Sequence, residues 1–343
     1  MNKMSIGFGS YLKDYLEFHN ISQTEFANRL NISQKHMNEI LNEKQTVTLE
    51  MTASIYHLTG IPIEFIIKSE CRKYITDKLI EEYGTLNELN KYLKKNYYLK
   101  ELEERSWIKF NNKTNAVQNY IDLMDFLKVK DFEALEKIKE KTLFKKTGND
   151  LNKLNLWIAR CNEITKNQTV SAYDKDNFLF LIDDLKTESY KKGIDLEKIQ
   201  GLLNSYGIYF IVEKALSGTK VRGCFRVKGK NPAIYLTKNY SSKDSFYFEL
   251  FHELGHCKSD FNEAKSKVIV EGTDLLEKRA DDFALKTMIS DDVWNEIINK
   301  VSEKNCLQIS KKYKIPMSFI VGRLAKFKII KYDSELYNKY NMD

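Results

Sequence analysis

The five residues His252-Glu253-Leu254-Gly255-His256 constrain this chain more than any other stretch. On a helix, positions i and i+4 project from one face, so the two imidazoles of H-E-x-x-H can hold one metal ion. Glu253 then lies beside the ion, where a general base takes a proton from a metal-activated water. The surrounding run reads as a helix over Phe246 to Cys257, with Asp244 or Ser245 as its cap. Phe248, Phe251 and Leu254 make it apolar on much of its circumference, which predicts burial. Gly255 leaves room for close packing, and Cys257 is expected to point away from the metal. With five His in 343 residues, chance alone produces this spacing in under about 1% of such chains.

A second segment adds to the first. Leu276, Ala280, Phe283, Ala284 and Met288 recur at helical spacing, and Glu277 and Asp281 share one face of that helix. A catalytic zinc usually takes three protein ligands and keeps a fourth position open. Glu277 supplies the third, after His252 and His256. Asp281, one turn on, is placed to accept the N–H of a ligand imidazole and fix its tautomer. Taken alone, Glu277 reads as a solvated charge in an E-K-R run; the upstream motif changes that reading.

F-H-E-L-G-H at 251–256 and E-x-x-A-D-x-F-A at 277–284 resemble the ImmA/IrrE-type metallopeptidases. The similarity extends to 207–212 and 232–237, which look like the strands preceding that family's active helix. It implies a zincin-like fold, ligands at His252, His256 and Glu277, and the base at Glu253. Glu249 departs from the pattern, standing where a small hydroxyl residue is usual. It is three residues before His252, on the same helix face.

The N-terminal 69 residues carry a different pattern. Ser22 followed by Glu25 is a capping box for one short helix, and Ser33 caps the next, from Gln34 to Asn42. Two such helices joined at Asn31-Ile32-Ser33 form a helix-turn-helix. Ala27 is the small residue for their crossing, and Ile32, Met37 and Ile40 face inward. I-S-Q-T-E-F-A-N-R-L-N-I-S-Q resembles the Xre-type unit of lambda-repressor-like regulators and HigA-type antitoxins. The candidate DNA contacts are Gln23, Ser33, Gln34, Lys35 and Asn38, with His36 beside them. Relatives often have Gly at the position of Glu43; Asn42 is expected to take the left-handed conformation instead. Six Lys and Arg stand against seven Asp and Glu over residues 1–69. DNA binding there rests on the motif and on dimerisation, which doubles the contacts, rather than on a basic patch.

Composition sets the frame. Three Pro (62, 232 and 316), few Gly and 42% apolar residues indicate a mainly α (α+β) globular chain. Five scattered Cys without C-x-x-C argue against a disulfide framework or a thiolate zinc site. No signal peptide and no apolar run of 18 residues is present, so a cytoplasmic protein with no membrane partner is expected. Residues 70–205 read as successive helices, with Lys-rich joins at 139–146 and 186–192 expected to be exposed. Trp157 anchors one of them, in a segment similar to W-x-x-R in regulators that fuse a helix-turn-helix to the peptidase. From Gly207, G-I-Y-F-I-V, V-R-G-C-F-R-V and A-I-Y-L-T predict a small sheet. The expected organisation is a helix-turn-helix domain at 1–69, a helical middle region at 70–205, a peptidase domain at 206–290 and a helical tail at 291–343.

The expectation is a DNA-binding regulator with a zinc endopeptidase, Mn²⁺ being the alternative ion. Its partners are operator DNA and a regulatory protein substrate, either a repressor or the chain itself. Tyr240, Tyr247 and Arg323 are the candidates for stabilising the oxyanion. The competing reading is a non-enzymatic antitoxin and autorepressor that binds DNA and a toxin.

Overall fold

The structure is a computed structural model that describes residues 7–110, 115–143, 150–270 and 273–341. It divides into two compact units, residues 1–103 with 108–122 and residues 104–107 with 123–343. Among the described residues, no helix is long and apolar enough to cross a membrane.

The first helices are α1 (Phe8–Phe18), α2 (Gln23–Arg29), α3 (Gln34–Leu41), α4 (Leu49–Thr59) and α5 (Ile63–Tyr83). They close around Phe8, Leu12, Leu16, Phe26, Ala27, Met37, Leu41, Ile55 and Ile66. Ser22 Oγ accepts from the Glu25 N–H and Ser33 Oγ from the His36 N–H, so both hydroxyls satisfy a first-turn donor. The Glu25 side chain does not complete a reciprocal box with Ser22; its carboxylate pairs with Arg29. The end of α3 differs from expectation. Asn42 has φ −92° and Glu43 has φ +58°. The left-handed residue is therefore Glu43, despite a cost of about 1–2 kcal/mol for a side-chain-bearing residue. Its carboxylate accepts from Ser10 Oγ at 2.6 Å, and the Lys44 N–H closes on Glu39 O at 2.8 Å. A side-chain tether and a helix-closing bond outweigh the intrinsic preference of Asn.

No break occurs at residue 69, which lies inside α5. The helices α6 (Leu86–Tyr97), α7 (Leu99–Glu104) and α8 (Ala116–Leu127) follow.

The second unit contains α9 (Phe132–Lys139), β1 (Thr142–Leu143), α10 (Leu151–Ile164), α11 (Phe178–Ser189) and α12 (Leu196–Ser205). Then come β2 (Tyr209–Val212), β3 (Gly223–Lys228), β4 (Asn231–Leu236), α13 (Lys243–Ser259), α14 (Phe261–Ala264), β5 (Val268–Ile269) and α15 (Asp274–Met288). The helices α16 (Asp291–Asn299), α17 (Glu303–Tyr313), α18 (Met317–Lys326) and α19 (Glu335–Tyr340) complete it. Of the Lys-rich join at 139–146, residues 144–146 lie outside the described residues. Lys139 is buried rather than exposed, with its ammonium on Glu136.

The sheet is mixed, in the order β1-β5-β3-β4-β2. β3 and β4 pair antiparallel, with Gly223 opposite Leu236 and Lys228 opposite Asn231; β2 runs parallel to β4. Pro232 sits near the start of β4, ahead of the β2 pairing that begins at Ala233, so its missing N–H costs no bond on that side. Alternation along β3 turns Gly223 and Phe225 toward α13 and Cys224 and Arg226 the other way. On that other face Arg226 and Tyr235 donate to Asn162 Oδ1 of α10 at 3.0 and 2.8 Å. Trp157 is fully buried there and donates to Glu213 O at 2.9 Å. α13 occupies the opposite face, and α11, α12 and the helices from α16 on share its core. The positions 205 and 290 therefore fall within one packed body.

Candidate metal centre

α13 begins earlier than its sequence pattern suggested. Ser242 holds the N-cap position and makes no capping bond; its hydroxyl lies 3.1 Å from that of Ser245. Asp244 is in the first turn, where a carboxylate complements the helix dipole, although burial pushes its carboxyl up. From Leu250 to Cys257 every residue of α13 is buried. Gly255 lets α15 approach closely: a Cβ there would lie 2.9 Å from the Ala280 Cα. That contact brings Glu277 and Asp281 over the histidines.

Ligand atoms of His252, His256 and Glu277 all lie within 4.8 Å of one another. The two Nε2 atoms are 3.2 Å apart, with Glu277 Oε2 3.3 Å from His252 Nε2 and Glu277 Oε1 3.5 Å from His256 Nε2. A tetrahedral ion with bonds of ~2.0 Å needs donor–donor edges of about 3.3 Å. The triangle has that size. Each Nδ1 is committed elsewhere: His252 to Asp281 Oδ1 at 2.9 Å and His256 to Asp260 Oδ2 at 2.8 Å. Carboxylates accepting at Nδ1–H put the Nε2 lone pairs face to face, an arrangement that favours a cation between them. Two imidazoles and a carboxylate are donors suited to a divalent transition-metal ion.

Glu253 is buried beside this triangle, and its Oε2 has no hydrogen-bond partner among the described residues. Gly223 of β3 makes the space for it, since a Cβ there would collide with Glu253 Oε1. Burial pushes the Glu253 carboxyl up to about 8, against the lowering effect of the two histidines. Burial alone would lower the histidines. The bonds to Asp281 and Glu277 overcome it and raise His252 to about 10; those to Asp260 and Glu277 raise His256 to about 9.

These carboxylates favour the protonated imidazoles, so a cation must displace protons to bind. Zinc added to the metal-free chain at pH 7 in weak buffer is expected to release protons, read with an indicator dye. Release near zero would contradict the donor assignment.

Other expected residues are placed as follows. Asp281 meets His252, as its spacing from Glu277 indicated. Glu249 is held by Arg222 NH1 at 2.7 Å, which neutralises it. Cys257 points into the core, 3.5 Å from the Tyr173 hydroxyl. Tyr247 is buried among Phe246, Phe251 and Phe319. Tyr240 packs its ring edge-on against Phe246. Arg323 donates to Leu285 O and Ile289 O, closing the end of α15. None of these three is bonded to the metal triad. Asp260 was not anticipated; its only signal is the i+4 spacing from His256, and it is locked by Arg279 at 2.6 Å. Arg222, Gly223 and Lys326 carried no sequence signal.

In the N-terminal unit Gln23, Ser33, Gln34, Lys35 and Asn38 are exposed and His36 is half-buried. Asn38 Oδ1 accepts from Asn42 Nδ2 at 2.7 Å, which leaves the Asn38 amide N–H₂ to donate outward.

Comparison with protein-family models, with curated proteins and with solved structures finds no match.

Proposed function

We propose that this chain is a metal-dependent peptidase, joined to a helix-turn-helix that binds DNA, and that it acts on a regulatory protein. The observation that carries the peptidase is the tetrahedral-sized triangle of His252, His256 and Glu277 with a buried Glu253 beside it. Zinc, with manganese as second choice, would be held by the three donors and would supply the Lewis acid that polarises a scissile carbonyl. Asp281 and Asp260 hold the imidazoles in the ligating tautomer. Glu253 takes the proton of the attacking water and passes it to the leaving amine. Its dry setting raises its basicity, as a base working near neutral pH requires. Zinc-loaded full-length chain should cleave members of a mixed peptide library, and chelator-treated chain should cleave none. Equal patterns with and without zinc would contradict the proposal.

The DNA-binding part rests on the two serine-capped helices and the exposed polar face of α3. An amide that donates and accepts at one base pair discriminates by about 1–3 kcal/mol. Gln34→Ala with Asn38→Ala should weaken binding to a duplex selected from a random pool by tenfold or more, with zinc content unchanged. Undiminished affinity of the double variant would remove this face as the reader.

A further inference from the structure

The side of the metal triad that meets solvent carries two cations. Side-chain exposure rises from His256 (1%) through Glu277 (27%) to Asp281 (48%) and Arg222 (67%), which marks the open side. Arg222 immediately precedes Gly223, the residue against which Glu253 packs. It uses one N–H on Glu249, leaving the rest of its guanidinium fork to solvent. Lys326 is the last residue of α18, and its ammonium lies 3.9 Å from the Phe248 ring centroid. Phe248 is one turn before His252, with ring centroids 6.2 Å apart.

Charges around Lys326 are arranged unevenly. Asp281 and Glu249 attract its ammonium, and Arg222 and Arg323 repel it. Both carboxylates are already engaged, Asp281 by His252 and Glu249 by Arg222. Among the described residues Lys326 makes no ion pair or hydrogen bond and rests only on the aromatic face. A cation so placed, separated from His252 by the Phe248 ring, is matched by an anion brought in by a ligand.

We infer that Lys326, with the charge of Arg222 adding to its own, receives a carboxylate of the bound peptide, so that the site selects an acidic group next to the bond it cleaves. This inference rests on the peptidase reading above. A carboxylate can accept from the ammonium, which Phe248 holds over its ring face. The carboxylate can be an acidic side chain or a chain terminus.

The test uses full-length chain loaded with Co²⁺, whose visible spectrum reports the metal donors and gains a charge-transfer band when a thiolate binds. Four thiols are titrated: N-acetyl-cysteinyl-aspartyl amide against its asparaginyl counterpart, and N-acetyl-cysteinyl-alanine with a free terminus against its amide. The wild type should favour the acidic member of one pair by about tenfold or more, and the favoured pair identifies side chain or terminus. Lys326→Met keeps the contact with Phe248 and should abolish the preference without changing the cobalt spectrum. Equal affinities in the wild type, or a preference that survives Lys326→Met, would overturn the inference and leave the metal centre standing. Failure to take up cobalt, or a spectrum that no thiol perturbs, would instead overturn the peptidase reading and the inference with it.

Discussion

Glu253→Gln should reduce peptide cleavage by roughly 10²- to 10⁴-fold while the chain keeps its zinc. The amide has nearly the shape of the carboxyl, so packing against Gly223 is retained, but it cannot take a proton. Glu253 is not one of the three donors, which lie within 4.8 Å of one another without it. Metal content and cleavage therefore separate. The same logic applies from the other side of the contact. Gly223→Ala would place a Cβ against Glu253 Oε1 and 2.9 Å from Leu236 Cδ2. Since Glu253 and Leu236 are both buried, neither can swing away freely. Its cleavage rate should fall in the same direction, again at unchanged zinc content. Initial rates on any library peptide found to be cut, measured beside zinc content, check both. Full activity in Glu253→Gln would remove it as the base.

Gly255→Val should do the reverse and cost the chain its metal. A Cβ at 255 already lies 2.9 Å from the Ala280 Cα and 3.3 Å from Ala280 O, both backbone atoms of α15. Overpacking of this kind costs typically ~1–3 kcal/mol. The strain is relieved most readily by moving α15 off α13. Glu277 and Asp281 flank Ala280 on α15, so the third donor and the acceptor of His252 leave together. Zinc affinity should drop by at least about tenfold, read by competition with a chelating dye. The melting transition, followed separately, shows whether the fold persists. Wild-type affinity in a folded Gly255→Val chain would contradict the packing account of the site.

How much of this was legible in the sequence follows from the range of the interactions. Local ones left a mark. The i, i+4 spacing carried His252 with His256 and Glu277 with Asp281, and the capping serines marked the starts of α2 and α3. Asp260 shares that spacing with His256 but went unread. An acid near a helix end is common, and its role depends on Arg279 arriving from α15. Arg222, just before β3, and Lys326, at the end of α18, meet Glu249 and Phe248 of α13, and no periodicity encodes which strand start or helix end faces α13. Two-residue strands such as β1 and β5 are too short to show alternation. At the end of α3 the residue preference pointed to Asn42, while the tether from Ser10 placed the left-handed turn at Glu43. Arg323, a candidate for the oxyanion on charge alone, is instead committed to the carbonyls that end α15.

The most direct test of the central claim is elemental analysis of the purified chain beside Glu277→Ala, each equilibrated with zinc and desalted. The account predicts about one zinc per wild-type chain, the three-donor stoichiometry of an open site, and loss of the ion in Glu277→Ala at unchanged fold. No zinc in the wild type, or full zinc retention in Glu277→Ala, would contradict it.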